Sequence, residues 1–285
     1  GDWRRIKITN TSEASQFDYT RIRYGGPACG FGCPPPEDVA MFAIVSGTAD
    51  IKNSIVEHSF SEGAYLLNSS GTVSGTNFRK NCSALIGYCF GGLIVSGGSV
   101  VIQTNTFEIN KNGLFVDGTH TVNGNTFTDN TGDAIRFAGG MPTFSGNTAS
   151  GNGTNGVKVA AVGDNYTYVK DLPYVLSESN IVLVDSGKTV QIKPGAVFKD
   201  KTGQQTATVN GLLKIEGSVD QPVILTSFFD DGYGGDTNND GICDPGNASS
   251  TAACPNRGDW GSLVFSSTAG APAARQHPLL AGRCA

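Results

Sequence analysis

The residues whose types and spacing could do chemistry are concentrated in one short segment, GGDTNNDGICDP, at residues 234–245. Its pattern D-x-N-x-D-G-x-x-D sets oxygen donors at alternating positions of a tight loop. Such a loop could be a catalytic cluster, a metal site or a polar surface loop. The candidate ligands are the side chains of Asp236, Asn238, Asp240 and Asp244 and the backbone carbonyl of Ile242.

The ligand spacing favours Ca²⁺. Oxygen donors at positions one, three, five, seven and nine, with Gly241 at position six for the sharp turn, follow the spacing of EF-hand loops. At position twelve Asn247 stands in place of the bidentate Glu, and thrombospondin-type and dockerin-type calcium loops resemble the segment more closely. Clustered carboxylates repel one another unless a cation compensates. We therefore predict a structural Ca²⁺ site, with a solvated acidic loop as the alternative.

The cysteines indicate the chemical environment in which the chain works. Seven are present, and six of them form pairs close in sequence: Cys29 with Cys33, Cys82 with Cys89, and Cys243 with Cys254. The pairs lie in separate loops and the chain has only three His, so a shared zinc site is not favoured. We predict local disulfides and an extracellular or cell-surface location, with free or metal-bound thiols as the alternative.

Composition describes the elements that must position these residues. Only 16% of the residues are charged and 39 are Gly, which favours β-strands joined by many turns. The net charge is -5 and the Lys and Arg residues are scattered, so nucleic-acid binding is not expected. No apolar run approaches the roughly 18 to 20 residues that cross a bilayer, so no membrane insertion is expected. The chain opens without a basic, hydrophobic leader, and any signal peptide is expected to have been removed or to lie upstream.

Internal repeats predict the architecture. Segments such as QTNTFEINKNGLFV and NGNTFTDNTGDAIRF share their Asn, Phe and Gly positions. Their equivalent residues Phe78, Phe107, Phe127 and Ala149 are separated by 29, 20 and 22 residues. Units of this length, with short strands of three to five residues, cannot bury an apolar face alone and must stack as a β-solenoid.

The solenoid predicts where two sets of repeated side chains lie. Phe107 should lie directly beneath Phe127 in the interior. Asn105, Asn125 and Asn147 should align at one corner, with positive φ angles and hydrogen bonds passing from coil to coil. This asparagine ladder is expected to be structural rather than ligand-binding.

A family resemblance rests on the second half of the chain. The run through VQIKPGAVF, VNGLLKIEGS, PVILTSFFDD, GGDTNNDG and GDWGSLVF resembles the opening coils of secreted bacterial parallel β-helix proteins of the pectate-lyase-like and NosD-like superfamily. The resemblance implies an all-β, right-handed parallel β-helix with loop insertions. It identifies an architecture more than an activity.

The order of the segments is rotated relative to that family. The coil GDWRRIKITNTSEASQFDYTRIRYGG, which normally follows, occupies residues 1–26, and a second GDW begins at residue 258. The chain is either one unit of a tandem array or circularly permuted, and in both cases its ends could stack on neighbours. We divide it into Asn/Gly-rich coils at 1–165, regular coils at 166–229, a calcium-loop insertion at 230–257, a repeated GDW coil at 258–269 and a disordered or foreign tail at 270–285.

The resemblance also implies possible catalysis, because polysaccharide lyases of this superfamily use a basic side chain and often Ca²⁺ on a uronate substrate. The candidates in the Asn-rich coils are Lys111, Asp117, His120, Asp129, Asp133, Arg136 and Lys158, and Lys111, Asp117, Asp133 and Arg136 are the set to test for convergence. We expect a structural or adhesive protein, stabilised by Ca²⁺ and disulfides, that can stack end to end into a fibre. The alternatives are a uronan lyase and a non-catalytic module that binds a polysaccharide or cell-surface glycan.

Overall fold

The structure is a computed structural model that describes residues 3–10, 13–27, 36–82, 89–160, 163–178, 181–203, 206–244 and 251–266. Within them the chain forms 26 strands and one short helix, α1 at Pro36–Val39. The predicted Cys29–Cys33 pair and the tail at 270–285 lie outside the described residues. In the part of the chain that the structure describes, no helix is long and apolar enough to span a membrane.

The strands are short and follow one another around successive coils. The first coils contain β1 (Ile6–Thr9), β2 (Ser15–Asp18), β3 (Arg21–Arg23), β4 (Phe42–Val45), β5 (Ala49–Lys52), β6 (Ile55–Glu57), β7 (Ala64–Ser74) and β8 (Asn77–Arg79). The central coils contain β9 (Leu93–Gln103), β10 (Thr106–Glu108), β11 (Leu114–Asp117), β12 (Thr121–Asn123), β13 (Thr126–Thr128), β14 (Asp133–Gly139), β15 (Thr143–Ser145), β16 (Thr148–Ser150), β17 (Thr154–Val159) and β18 (Tyr166–Tyr168). The last coils contain β19 (Tyr174–Leu176), β20 (Ile181–Val184), β21 (Thr189–Ile192), β22 (Val197–Asp200), β23 (Thr206–Val209), β24 (Leu212–Ile215), β25 (Ile224–Ser227) and β26 (Ser262–Phe265).

Parallel pairing between coils builds the faces of a right-handed parallel β-helix, as predicted. The main sheet runs β1-β4-β7-β9-β11-β14-β17-β19-β22-β25, and β2, β5, β12 and β15 join it through the second halves of β7 and β9. A second sheet runs β3-β6-β8-β10-β13-β16. Beyond it, the sheets β18-β21-β24 and β20-β23-β26 form the other faces of the last coils.

Two strands are longer than the sequence predicted. β7 and β9 each contain 11 residues rather than three to five. Positive φ angles at Gly71, Gly97 and Gly98 fall inside these strands, where glycine allows the chain to turn while coil-to-coil pairing continues. The regular coils at 166–229 hold eight strands, β18 to β25.

The interior contains the predicted aromatic stack. Phe78, Phe107, Phe127 and Ala149 occupy the same register position on four successive coils. The rings of Phe107 and Phe127 are nearly parallel, with centroids 4.8 Å apart, and those of Phe78 and Phe107 are 5.0 Å apart. The prediction that Phe107 and Phe127 lie one above the other is confirmed.

The asparagine ladder is also confirmed. The Oδ1 atom of Asn125 accepts from the backbone N and from Nδ2 of Asn105, both at 3.0 Å. Asn125 in turn donates from the same two groups to Oδ1 of Asn147. The ladder ends on the carboxylate of Asp171, which accepts both donors of Asn147.

The predicted positive φ angles of these asparagines are wrong. The left-handed residues are their predecessors, Thr104, Gly124 and Gly146. At each corner, two consecutive residues differ in what they do. The first adopts the left-handed backbone conformation that turns the chain, and the second, the asparagine, points its side chain inward to the ladder.

A parallel ladder at the next corner was not predicted. It joins Asn81, Asn110, Asn130 and Asn152 and ends on Asn155. Each member is buried, and each Nδ2 atom up to Asn152 also donates to a backbone carbonyl, such as that of Phe107. The two ladders satisfy the buried polar groups at two corners of the solenoid.

Candidate functional site: the acidic loop and the face beside it

The acidic loop, defined here as residues 228–244, folds back over the outer face of the main sheet. Lys199 and Val175 face outward from β22 and β19, yet both are fully buried. The Nζ atom of Lys199 donates to the backbone carbonyls of Asp230, at 2.8 Å, and Gly235, at 3.0 Å. The ammonium group of Lys199 therefore lies beneath the loop and binds its backbone.

Burial lowers the pKa of Lys199 to about 8, although the nearby Asp231, Asp230 and Asp236 act in the opposite direction. Sequence reasoning missed this lysine. In the local pattern of VFKD, Lys199 reads as an ordinary outward-facing strand residue, and only the loop that arrives from about 30 residues later buries it.

The loop also ends the second asparagine ladder. Asn155 donates from its backbone N to the carbonyl of Thr237, at 2.8 Å, and from Nδ2 to the carbonyl of Asp236, also at 2.8 Å. Thr237 is fully buried. The segment at Asp236 and Thr237 is thus fixed against the body of the solenoid.

The predicted calcium ligands adopt a closed turn. The two carboxylate oxygens of Asp236 accept from the backbone N of Asp240, at 3.2 Å, and of Gly241, at 3.0 Å. Gly241 has a φ of +99°, which explains the glycine at this position. Asp240 accepts from the backbone N of Ala253, whereas the side chain of Ile242 is mostly exposed.

Two side-chain oxygens in the loop are buried and lack hydrogen-bond partners among the described residues, Oδ1 of Asp231 and Oδ1 of Asn238. Burial raises the pKa of Asp231, and the charges of Asp236 and Asp240 act in the same direction. In the described part of the chain, no group of three or more His, Cys, Asp or Glu side chains forms a metal-binding arrangement. The predicted ligand set contains three Asp side chains as well as the Asn238 amide and the Ile242 carbonyl, and its Asp side chains, all within the described residues, do not form such a group.

Two of the three predicted disulfides are present. Cys243 and Cys254 are joined, with Cα atoms 5.1 Å apart, and Cys82 is joined to Cys89, with Cα atoms 5.9 Å apart. The backbone N of Cys243 donates to Asp231 at 2.8 Å, so the first disulfide is attached directly to the acidic loop.

The four residues proposed for catalysis share one region without forming a cluster. Asp117 and Arg136 both face outward from the main sheet, but Asp117 aligns with Ser96 and Gly139, one row away from Arg136. Asp133 begins β14, and Lys111 lies in the turn before β11. Among the described residues, no ion pair or side-chain hydrogen bond joins any two of these four.

The other catalytic candidates differ in their surroundings: some are buried or part of a corner, and others lie on the outer surface. His120 is buried, its Nδ1 accepts from the backbone N of Val100 at 3.1 Å, and burial lowers its pKa. Asp129 occupies a left-handed corner position. Lys158 stands next to Arg136 in the outward row that also contains Phe115. Both cations approach Oε1 of Glu178, Lys158 at 3.1 Å and Arg136 at 3.7 Å.

Comparison with known protein families agrees with this geometry. The chain matches the family described as right handed beta helix region over residues 6–171. The match covers more than half of the sequence, and the chain belongs to this family of parallel β-helix proteins. No curated protein and no solved structure matches the chain.

Proposed function

We propose that this chain is an extracellular structural or adhesive β-helix whose copies stack end to end. The observation that carries the proposal is the state of the two terminal coils. Among the described residues, β1, β2 and β3 pair with strands on one side only, and so do β24, β25 and β26. Strand edges of this kind are ready to pair with another chain.

The side chains at these edges support the proposal. Ile6 on β1 and Leu225 on β25 are each 38% exposed, and Phe265 on β26 is 52% exposed. Trp3 and Trp260, the last residues of the two GDW segments, are both partly buried against the core shortly before an edge strand. A second copy would cover this apolar surface and, at the same time, form backbone hydrogen bonds with the unpaired strand edges.

The disulfides support the location. Both are compatible with an oxidising extracellular environment, where small loop-rich segments are commonly cross-linked. One of them, Cys243–Cys254, is formed by a residue of the acidic loop.

Ca²⁺ is proposed as a stabiliser of the acidic loop. The support is the closed turn around Asp236, the unpaired buried oxygens of Asp231 and Asn238, and the mismatch between several carboxylates and one buried lysine. A hard divalent cation binds through oxygen ligands of this kind. The ion would strengthen a loop that Lys199 already anchors from below.

Sedimentation velocity over a wide protein concentration range tests the stacking. We expect the weight-average sedimentation coefficient to rise with concentration, and electron micrographs of concentrated samples to contain linear assemblies rather than clusters. A single monomeric species at every concentration would exclude the proposal.

A second candidate is favoured by the adjacent cations Arg136 and Lys158, which share one carboxylate on the open part of the main sheet. This pair could bind the carboxylates of a uronan, with or without lyase activity. Arg136→Ala should weaken binding to polygalacturonate, whereas Lys170→Ala, at an exposed lysine elsewhere, should not. New absorbance from unsaturated chain ends would identify a lyase, and equal binding by both variants would reject the candidate.

A further inference from the structure

A groove lies at the boundary between the Asn-rich coils and the regular coils, beside strands β15, β18 and β21. We call it the seam groove, and its volume is about 410 Å³. The polar and apolar side chains at its surface are Met141, Thr143, Asn165, Thr167, Thr189 and Gln191.

The groove has a topological cause. β15 pairs only with β12, and β18 pairs only with β21, so coil-to-coil pairing is interrupted between β15 and β18. Side-chain bonds still cross this boundary inside the solenoid, from the hydroxyl of Tyr166 to the carbonyl of Pro142 at 2.7 Å and from Asn147 to Asp171. The interior of the solenoid is therefore continuous across this boundary, whereas its outer surface has a cleft.

The polar groups of the groove are available to a ligand. Among the described residues, the hydroxyls of Thr143, Thr167 and Thr189 and the amide of Gln191 make no hydrogen bond. Asn165 is held in place, since its Oδ1 accepts from the backbone N of Thr189 at 2.8 Å. The strand register places two of these polar side chains next to each other, because Thr167 aligns with Gln191 on the neighbouring strand.

The groove carries no net charge. None of its surface residues is ionisable except Tyr166, whose hydroxyl is buried and whose pKa burial raises far above the neutral range. At its rim, Asp164 and Lys188 form an ion pair with each other at 2.7 Å, and the exposed Lys214 aligns with Gln191 on the neighbouring strand β24. The lining residues themselves supply no cation for a uronate or a phosphate, so the chemistry of the lining favours an uncharged ligand.

From these observations we infer that the seam groove binds a neutral oligosaccharide. A sugar ring offers hydroxyls at its edge and C–H groups on its faces. The free hydroxyls and amide match the edge, and Met141 and Pro142 supply an apolar contact for a face. The volume lies within the roughly 300–1,000 Å³ of small-ligand sites. The site is independent of end-to-end stacking, so failure of either proposal leaves the other standing.

The two methionines of the chain provide a direct test by NMR with ¹³C-methyl-labelled methionine. Met141 is 51% exposed in the groove, and Met41 is fully buried in the core as an internal control. The protein is titrated with cellohexaose, mannohexaose and xylohexaose, and separately with hexagalacturonate. We expect at least one neutral hexasaccharide to shift the Met141 signal saturably while Met41 stays fixed, and hexagalacturonate to have no effect.

A matched pair of variants assigns the binding to the groove. Thr167→Ala and Gln191→Ala should each weaken the apparent affinity by about tenfold, the effect of one lost hydrogen bond. Thr126→Ala removes an equally exposed threonine from β13 and should leave the affinity unchanged. An unmoved Met141 signal with all three neutral sugars overturns the inference, and so do equal effects of Thr167→Ala and Thr126→Ala or a comparable response to hexagalacturonate.

Discussion

At the scale of single residues, Asn125 shows how the ladder holds one coil on the next. Its carboxamide accepts two hydrogen bonds from Asn105 and donates to the carbonyl of Ile102 at 2.9 Å, all in a fully buried position. An aliphatic side chain there would leave several buried groups without partners.

Asn125→Ala should lower the free energy of unfolding by about 3 kcal/mol, because buried donors of Asn105 and the carbonyl of Ile102 lose their partners. Urea denaturation followed by circular dichroism measures the change. Asn123→Ala, two residues earlier and exposed, should cost less than about 0.5 kcal/mol. Equal losses in the two variants would mean that the ladder is not a source of stability.

Asp171 makes the end of the same ladder sensitive to pH. Burial raises its pKa above the ordinary value of 3.8, although hydrogen bonds from Asn147 partly oppose the shift. The folded state therefore retains a proton that the unfolded state has lost. The stability that protonated Asp171 contributes is complete below pH 3.8 and is lost as the pH rises through the folded-state pKa.

Asp171→Asn should therefore raise the melting temperature at pH 7, since Asn continues the ladder without a buried charge. The difference from the parent protein should shrink as the pH falls towards 4, which thermal melts across this range would measure. Asp185→Asn, at an exposed turn, serves as the control. A parent protein more stable than Asp171→Asn at pH 7 would contradict the argument.

The ladders also mark how far residue-level prediction reaches. Repeated Asn residues predicted one ladder, because equivalent residues of a solenoid contact only their neighbours in the stack. Asp171 does not repeat the Asn motif, and no spacing rule distinguishes the left-handed Gly124 from Asn125, which follows it. Those details depend on how the corner is built.

At the scale of elements, the acidic loop combines a local motif with distant anchors. The spacing of Asp236, Asn238 and Asp240 could be read from the sequence. Its contacts with Lys199 and Asn155, which lie 36 and 81 residues away from their partners, could not. The sequence of a loop shows which ligands it contains. The position of the loop depends on the surface against which it packs.

Calcium should raise the melting temperature of the protein, and a chelator should reverse the change. At a hundredfold excess over Kd the stabilisation is about 2.7 kcal/mol, by mass action. Asp240→Asn should reduce the calcium-dependent shift, whereas Asp220→Asn, at an exposed aspartate of another turn, should preserve it. A melting temperature that Ca²⁺ does not move would contradict the calcium proposal.

At the scale of the whole molecule, the open edges predict the effect of charge at the ends. Leu225→Lys adds a cation to an edge strand and should shift the concentration dependence of sedimentation to higher protein concentrations by about tenfold. Ile109→Lys is the matched control, because Ile109 is 48% exposed at a corner in the middle of the solenoid. Association that both substitutions weaken equally would place the contact on the sides of the solenoid.

The architecture was more predictable than the surface. Phe78, Phe107 and Phe127 repeat along the sequence because they stack on one another in successive coils. The spacing of the repeat therefore predicts the solenoid fold. The seam groove could not be predicted, because it arises where pairing between β15 and β18 is missing. A sequence period shows which coils are alike, but it does not show where adjacent coils fail to pair.

The bond between Asn155 and Asp236 has a consequence for the order of folding. The rungs of its ladder join residues 29, 20, 22 and, at the last rung, 3 positions apart, while this bond joins residues 81 positions apart. Coils can be added one after another with short loop closures, but this contact needs all the intervening coils first. Docking of the acidic loop is therefore expected to be the final step, and its protection from hydrogen exchange would report that the stack between residues 155 and 236 is complete.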